Sequence, residues 1–232
     1  KLLFFYLFIW VGNFSKDISG PDGVPDGVID DYDKTNIGSP MPKFTFGWTN
    51  TFRYKNFDLS VFINGSYGNK VYNYLSMKLT HMNSPWTNQL NAVNGRAQLV
   101  PINPNKVYED GTMWYNDVSN VMVANPGASI PRATINDPND NDRISDRYIE
   151  DGSYIRLKNI SLGYTFPKKT IDKLGLSNLR IYANIQNLLT ITGYGGYDPE
   201  IGASTSSVNV YGLDNGRYPS PTVYSFGLNV SF

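Results

Sequence analysis

"PTVYSFGLNVSF", Pro221 to Phe232, is the stretch on which the fold of this 232-residue chain turns. Tyr224, Phe226, Leu228, Val230 and Phe232 fall on every second position, Ser225, Gly227, Asn229 and Ser231 lie between them, and Thr222 is on the approach. Successive side chains of a strand point to opposite faces, so this segment is a ribbon with one apolar and one polar side. A soluble sheet with one covered face would show that pattern, and so would a wall between lipid and a watery lumen. One strand does not choose between them.

Composition narrows the field. Twenty Lys and Arg balance twenty Asp and Glu, so net charge gives no pull toward nucleic acid or an anionic surface. With no cysteine there are no disulfides and no thiol chemistry, which suits a bacterial envelope protein. Seventeen Tyr, twelve Phe and four Trp with 21 Gly favour strands over helices.

Residues 1–15 form an apolar amino-terminal segment. Within it "KLLFFYLFIWVG", Lys1 to Gly12, has the apolar core of a signal peptide but is too short for a spanning helix and lacks a clear cleavage site. A strand buried on both faces, or a truncated or misjoined reading frame, are the other readings. Residues 16–42 form an acidic Gly/Pro-rich loop, and 43–232 carry the strands.

Four more segments alternate like the first. Phe44, Phe46, Trp48, Asn50, Phe52 and Tyr54 form one row; after the two-residue turn Lys55–Asn56, Phe57, Leu59, Val61 and Ile63 form the next, with Phe62 an exception on the other side. Ile160, Leu162, Tyr164 and Phe166 make a third row, and the preceding "YIRLK" has inverted parity, the mark of a bulge or of a stretch above the bilayer. Leu179, Ile181, Ala183, Ile185 and Leu189 make a fourth. Asn50 and Asn187 interrupt otherwise apolar rows.

The connections run short, long, short, long: Lys55–Asn56, about Asn69 to Ser153, Pro167 to Ser177, and Thr192 to Pro221. Transmembrane barrels alternate short periplasmic turns with long external loops in this way. Pro167 and Gly175 bracket a helical turn in the second short connection. The polar sides are Ser, Thr, Asn, Gly and Gln rather than Lys and Glu, the rows carry rings toward their ends, and the rows lack charges, all of which fit a lipid-facing wall with a watery bore. The predicted fold is therefore all-β: an antiparallel meander forming the last strands, about five, of an incomplete transmembrane β-barrel. Open edges in hydrocarbon would leave backbone groups unpaired, so such a piece requires further strands.

The blocks from Asp26 to Asn73 and from Ser145 to Lys169, with "LRIYANIQNLLTITGYGGYDPEI" and "DNGRYPSPTVYSFGLNVSF", resemble the carboxyl-terminal part of the SusC/RagA family of TonB-linked outer-membrane transporters. The resemblance covers roughly Lys16 to the end. It implies a barrel of about 22 strands closed by an amino-terminal plug, a SusD-like lipoprotein lid, energy delivered by TonB through an amino-terminal region missing from this sequence, a bacterial outer-membrane location, and import of glycans or peptides. It also implies that Tyr224, Phe226, Leu228, Val230 and Phe232 form the signal read by the barrel-assembly machinery, with Phe232 shielded by lipid at the periplasmic boundary. The alternative is a secreted β-sandwich that binds carbohydrate and buries the same rows against a second sheet.

Candidate chemistry is sparse. In "DGVPDGVIDDYD", Asp22, Asp26, Asp30 and Asp33 fall at positions one, five, nine and twelve of an EF-hand-like calcium loop. Val24 stands where another oxygen ligand belongs and no helix pair flanks the loop, so a solvated acidic turn competes with calcium; no other cofactor is indicated. The single histidine, His81, reads as a solvated loop residue without nucleophile or orienting acid, and no enzyme is expected. Trp86, Trp114, Tyr115, Tyr194 and Tyr197 lie in the two long loops, where rings stack on sugars, meet a partner lid, or pack the loop. Asn-X-Ser triplets at Asn64, Asn159 and Asn229 read as bore-facing pattern rather than glycan sites.

Overall fold

The structure, a computed structural model, describes residues 17–117, 119–135, 137, 140–201 and 211–232. The apolar segment 1–15 lies outside the described residues. In chain order the strands are β1 (Phe44–Tyr54), β2 (Phe57–Tyr67), β3 (Lys70–Asn73), β4 (Leu99–Pro101), β5 (Val121–Val123), β6 (Ile149–Asp151), β7 (Tyr154–Thr165), β8 (Asn178–Thr192), β9 (Leu213–Asp214) and β10 (Val223–Ser231). The chain divides into two compact units, one of residues 1–37 and 73–149, the other of 38–72 and 150–232.

The second unit holds an antiparallel meander of five strands in the order β1-β2-β7-β8-β10. Its register places the expected rows side by side. Leu59 lies opposite Phe52 and Leu162, Leu162 opposite Ala183, and Ala183 opposite Phe226; the next rung is Asn50, Val61, Ile160, Ile185 and Tyr224. The reverse face carries Ser60, Ser161, Asn184 and Ser225, and the three Asn-X-Ser asparagines fall on it too. Rings collect at both ends of the apolar face: Phe57 meets Tyr164 at 4.6 Å and Tyr164 meets Phe166 at 5.0 Å at the short-turn end, and Phe44 meets Tyr67 at 5.3 Å at the other. Such pairs add about 0.5–1.5 kcal/mol each beyond burial.

No second sheet covers this face among the described residues: Phe226 is 84% exposed and Phe232 93%. The sandwich alternative, which needs those rows buried against each other, is thereby set aside.

The bulge foreseen in "YIRLK" sits at Lys158. Phe62 pairs with Asn159, and the adjoining Ile63 pairs with Leu157, so β7 accommodates one residue more than β2 and its parity inverts. Ile155 and Leu157 therefore join the apolar face, and Arg156 turns to the polar one. Asn187 lies at the matching irregularity of β8; its φ of +52° is left-handed, and its Nδ2 donates to the Pro221 carbonyl at 3.0 Å. That local conformation accounts for a polar residue in an apolar row. Nothing in the structure explains Asn50. Phe62 faces the polar side because its ring covers Gly47 of β1, and Tyr182 covers Gly227 in the same way.

The β7–β8 connection follows its sequence cues. Pro167 opens a helical turn, α2 in the numbering that has Tyr74–Thr80 as α1; α2 spans Lys168–Ile171, passes into a 3-10 turn at Asp172–Leu174, and stops at Gly175 with φ +70°. The two long connections are not featureless. In the second unit, β6, β3 and β9 form a small sheet in that order. In the first, Asn73 caps α1 by accepting from the Ser76 N–H at 2.9 Å, and β4 pairs with β5.

Candidate functional site

On the polar face, at the long-loop end of β7, Arg156 organises a cluster of charges. Its Nε donates to Thr190 Oγ1 at 2.8 Å on β8, its Nη2 to Asp198 Oδ1 at 2.5 Å, and its Nη1 to Glu200 Oε2 at 2.6 Å; Lys158 donates to the same Glu200 oxygen at 2.9 Å. Arg156 and Asp198 are each only 3% exposed. Burial alone would raise the Asp198 pKa, but the backbone N–H groups of Ser220 and Glu200 and the Arg156 guanidinium outweigh it and hold the carboxyl at about 2. Arg217 donates to the Glu200 carbonyl at 2.9 Å, so the last long connection is tied at 198, 200, 217 and 220.

A second tie lies close by in sequence. Tyr194 is buried, and its hydroxyl donates to Asp214 Oδ2 at 2.5 Å. Burial, and then the carboxylate beside it, push the Tyr194 hydroxyl pKa well above the ordinary phenol range. Asp214, 1% exposed, uses its other oxygen to accept from the Gly216 and Arg217 N–H groups. Tyr194 is thus a packing ring. Tyr197, three residues on, is 63% exposed.

At the short-turn end of the same polar face, Asp58 of β2 reaches across β7 to Arg180 of β8, with Nη2 to Oδ2 at 2.6 Å. Gly163 lies beneath this bridge, and a Cβ there would collide with both partners.

In the first unit, Trp86 is 93% exposed at a loop tip, and Trp114 meets Tyr115 edge-on at 5.7 Å, with Tyr115 partly exposed. The four acids of the calcium-like loop do not gather round one point: no three carboxylate, histidine or cysteine groups converge as a cation site among the described residues. Three of them serve local backbone instead. Asp33 accepts from the N–H groups of Ile18, Ser19 and Asp30, Asp30 accepts from Tyr32, and Asp26 accepts from Val28. Gly23 and Gly27 supply positive φ for the turns. A cleft of about 1040 Å³ opens between this segment and residues 140–146, with Asp30, Asp33, Lys34, Arg143 and Asp146 on its walls.

His81 corrects the sequence reading. It is buried rather than solvated, and its Nε2 lies 2.9 Å from Asp137 Oδ2, while Asn141 donates to both oxygens of Asp137 through its backbone and side chain. There is no nucleophile in this set; it pins the end of α1 to Asp137 and Asn141. Its acid partner is 56 residues away in the chain, a separation no local pattern reveals.

The residues read as an assembly signal lie where the alternation put them. Tyr224, Phe226, Leu228 and Val230 line the outward face of β10 opposite Ile185, Ala183, Ile181 and Leu179, and Phe232 follows at the short-turn end, where its carbonyl accepts from Ser177 Oγ at 3.2 Å.

A meander with an uncovered apolar face, rings at both ends of that face and a polar reverse belongs to the class of transmembrane β-barrel walls. No family model matches the chain. Among individual proteins, the TonB-dependent receptor P3 of Formosa agariphila is 34% identical over 226 residues, 95% of this chain and 19% of the receptor. The TonB-dependent receptor SusC of Bacteroides thetaiotaomicron is 29% identical over 210 residues, 89% of this chain and 17% of the receptor. The solved RagAB peptide transporter superposes with a TM-score of 0.67 at 19% identity, covering 96% of this chain and 21% of that one. The chain thus spans about a fifth of the length of the curated relatives it matches. Over nearly its whole length it is similar to a stretch of these TonB-dependent receptors, and its sheet has the fold of a piece of such a barrel.

Proposed function

We propose that this wall forms part of the barrel of a nutrient importer in the bacterial outer membrane. The observation that carries the reading is the pairing of an uncovered apolar face with a hydroxyl- and amide-rich reverse, which no aqueous environment would stabilise. The likeness to TonB-dependent receptors supports energy supplied by TonB through a region outside this chain, and the likeness to the RagAB transporter supports a SusD-like lipoprotein partner. Glycans or peptides are the cargo class. Exposed Trp86 and Tyr197 supply flat rings to meet cargo or lid. The barrel-assembly machinery would read β10. The role is transport, not catalysis.

Cell fractionation of the complete receptor tests this reading, combined with uptake of labelled oligosaccharides and oligopeptides in cells with and without TonB. The expected outcome is a receptor released from the outer membrane only by detergent, with uptake that disappears without TonB. A receptor soluble without detergent would refute it.

A further inference from the structure

The two short connections meet at one rim of the wall. Asn56 Nδ2 donates to the Thr165 carbonyl at 2.6 Å and the Thr165 N–H to the Asn56 carbonyl at 2.9 Å, which fixes the Lys55–Asn56 turn beside the start of the β7–β8 connection. Together these connections, residues 55–56 and 166–177, carry Lys55, Lys168, Lys169 and Lys173 against the single acid Asp172. All four lysines are exposed, and among the described residues none has a carboxylate within 4 Å. Elsewhere, Lys34, Lys70, Lys106 and Lys158 are each paired with an acid, whereas Lys43 and Lys78 stand singly without one among the described residues.

The rim is also apolar on its lipid side. Lys55 Nζ lies 5.2 Å from the ring centroid of Tyr54, a member of the outward row, so this ammonium stands over the lipid-facing surface rather than the bore. Leu174, next to Lys173, is 68% exposed, whereas Ile171 of the same connection is buried and anchors it. Aromatic rings with lysines just beyond them are the arrangement that places ammonium groups at the level of lipid phosphates.

We propose that this rim is a docking surface for anionic phospholipid headgroups of the adjoining leaflet, held by Lys55, Lys168, Lys169 and Lys173. Charge complementarity and continuity with the lipid-facing band select the occupant. The inference rests on the barrel-wall reading given above. Each lysine near an anionic surface shifts the partition of such lipids by about fivefold.

The test uses the complete receptor in phosphatidylethanolamine bilayers with and without a minor fraction of phosphatidylglycerol, with retained lipid read by native mass spectrometry. The expected result is enrichment of phosphatidylglycerol that falls at least fivefold in a Lys168→Gln/Lys169→Gln/Lys173→Gln variant. A Lys34→Gln/Lys78→Gln control outside the wall should leave it unchanged. Raising salt from about 0.1 M to about 1 M, which shortens the screening length from about 10 to about 3 Å, should weaken enrichment in the parent. A correctly inserted, uptake-competent receptor with no preference, or one that keeps its preference in the triple variant, overturns the lipid inference alone. Failure of the parent to insert overturns the barrel reading along with it. Loss of uptake with unchanged lipid preference would assign the lysines to a protein partner and likewise overturn the inference.

Discussion

Replacing Ile160 by arginine separates a lipid-facing wall from a sheet in water. Ile160 lies midway along β7, between Val61 and Ile185 in the apolar row, and its side chain is partly exposed. In water a surface exchange of this kind costs within about 0.5 kcal/mol. In hydrocarbon an arginine near the midplane costs about 2–4 kcal/mol, which lowers the folding equilibrium about 30- to 900-fold. Leu228 belongs to the rung of Phe57, Tyr164 and Ile181, at the ring-bearing end, so Leu228→Arg should cost only about 0–1 kcal/mol. Asn159, adjacent to Ile160, faces the bore, and Asn159→Arg should cost less than about 1 kcal/mol. The assay is urea unfolding of the complete receptor in phospholipid vesicles, followed by gel mobility with and without heating. The signature is a depth profile on one face and its absence on the other. Equal costs at Ile160 and Leu228, or a neutral Ile160→Arg, would refute the assignment of this face to lipid.

Two further outcomes concern the last long connection. Tyr194→Phe removes the hydroxyl that donates to the buried Asp214 and should cost about 1–3 kcal/mol; limited proteolysis should show faster cleavage between residues 193 and 222, with the wall itself intact. Asp198 is held at about 2, below the usual carboxylate value, so its contribution is fully present above about pH 4 and is lost as pH falls through 2. Proteolysis of the same connection, with an acid-stable protease, should therefore be flat from pH 7 to about pH 4 and rise below it, and Asp198→Asn should remove that rise by making cleavage fast throughout.

What could be read from residues alone was whatever depends on period two. The five rows, the tight turn at Lys55–Asn56, the helical turn between Pro167 and Gly175 and the inverted parity of "YIRLK" are local patterns, and each has its counterpart in the structure. The ties of the long connections were illegible because they are chemistry at a distance. Arg156 and Asp198 are separated by 42 residues, and Tyr194 and Asp214 by 20. One signal was available: parity inversion at Lys158 implies that Arg156 turns to the polar face, and a guanidinium buried there requires acids, of which "GGYDPE" holds the two that bind it. His81 misled for the same reason, since its partner Asp137 is placed by tertiary structure alone.

The open sides of the meander carry the synthesis one step further. Among the described residues β1 pairs only with β2, and β10 only with β8, so each has on its outer side a row of N–H and C=O groups that no described strand meets. In hydrocarbon each such group costs several kcal/mol. The rim lysines and the rings bind the wall to the membrane surface, but they do nothing for these edges. Both β1 and β10 must therefore be paired with further strands wherever the apolar rows meet lipid, which ties insertion to barrel closure. The bore-facing pairs Arg156–Asp198 and Asp58–Arg180 then lie inside a closed wall, where their charges are shielded from hydrocarbon on every side.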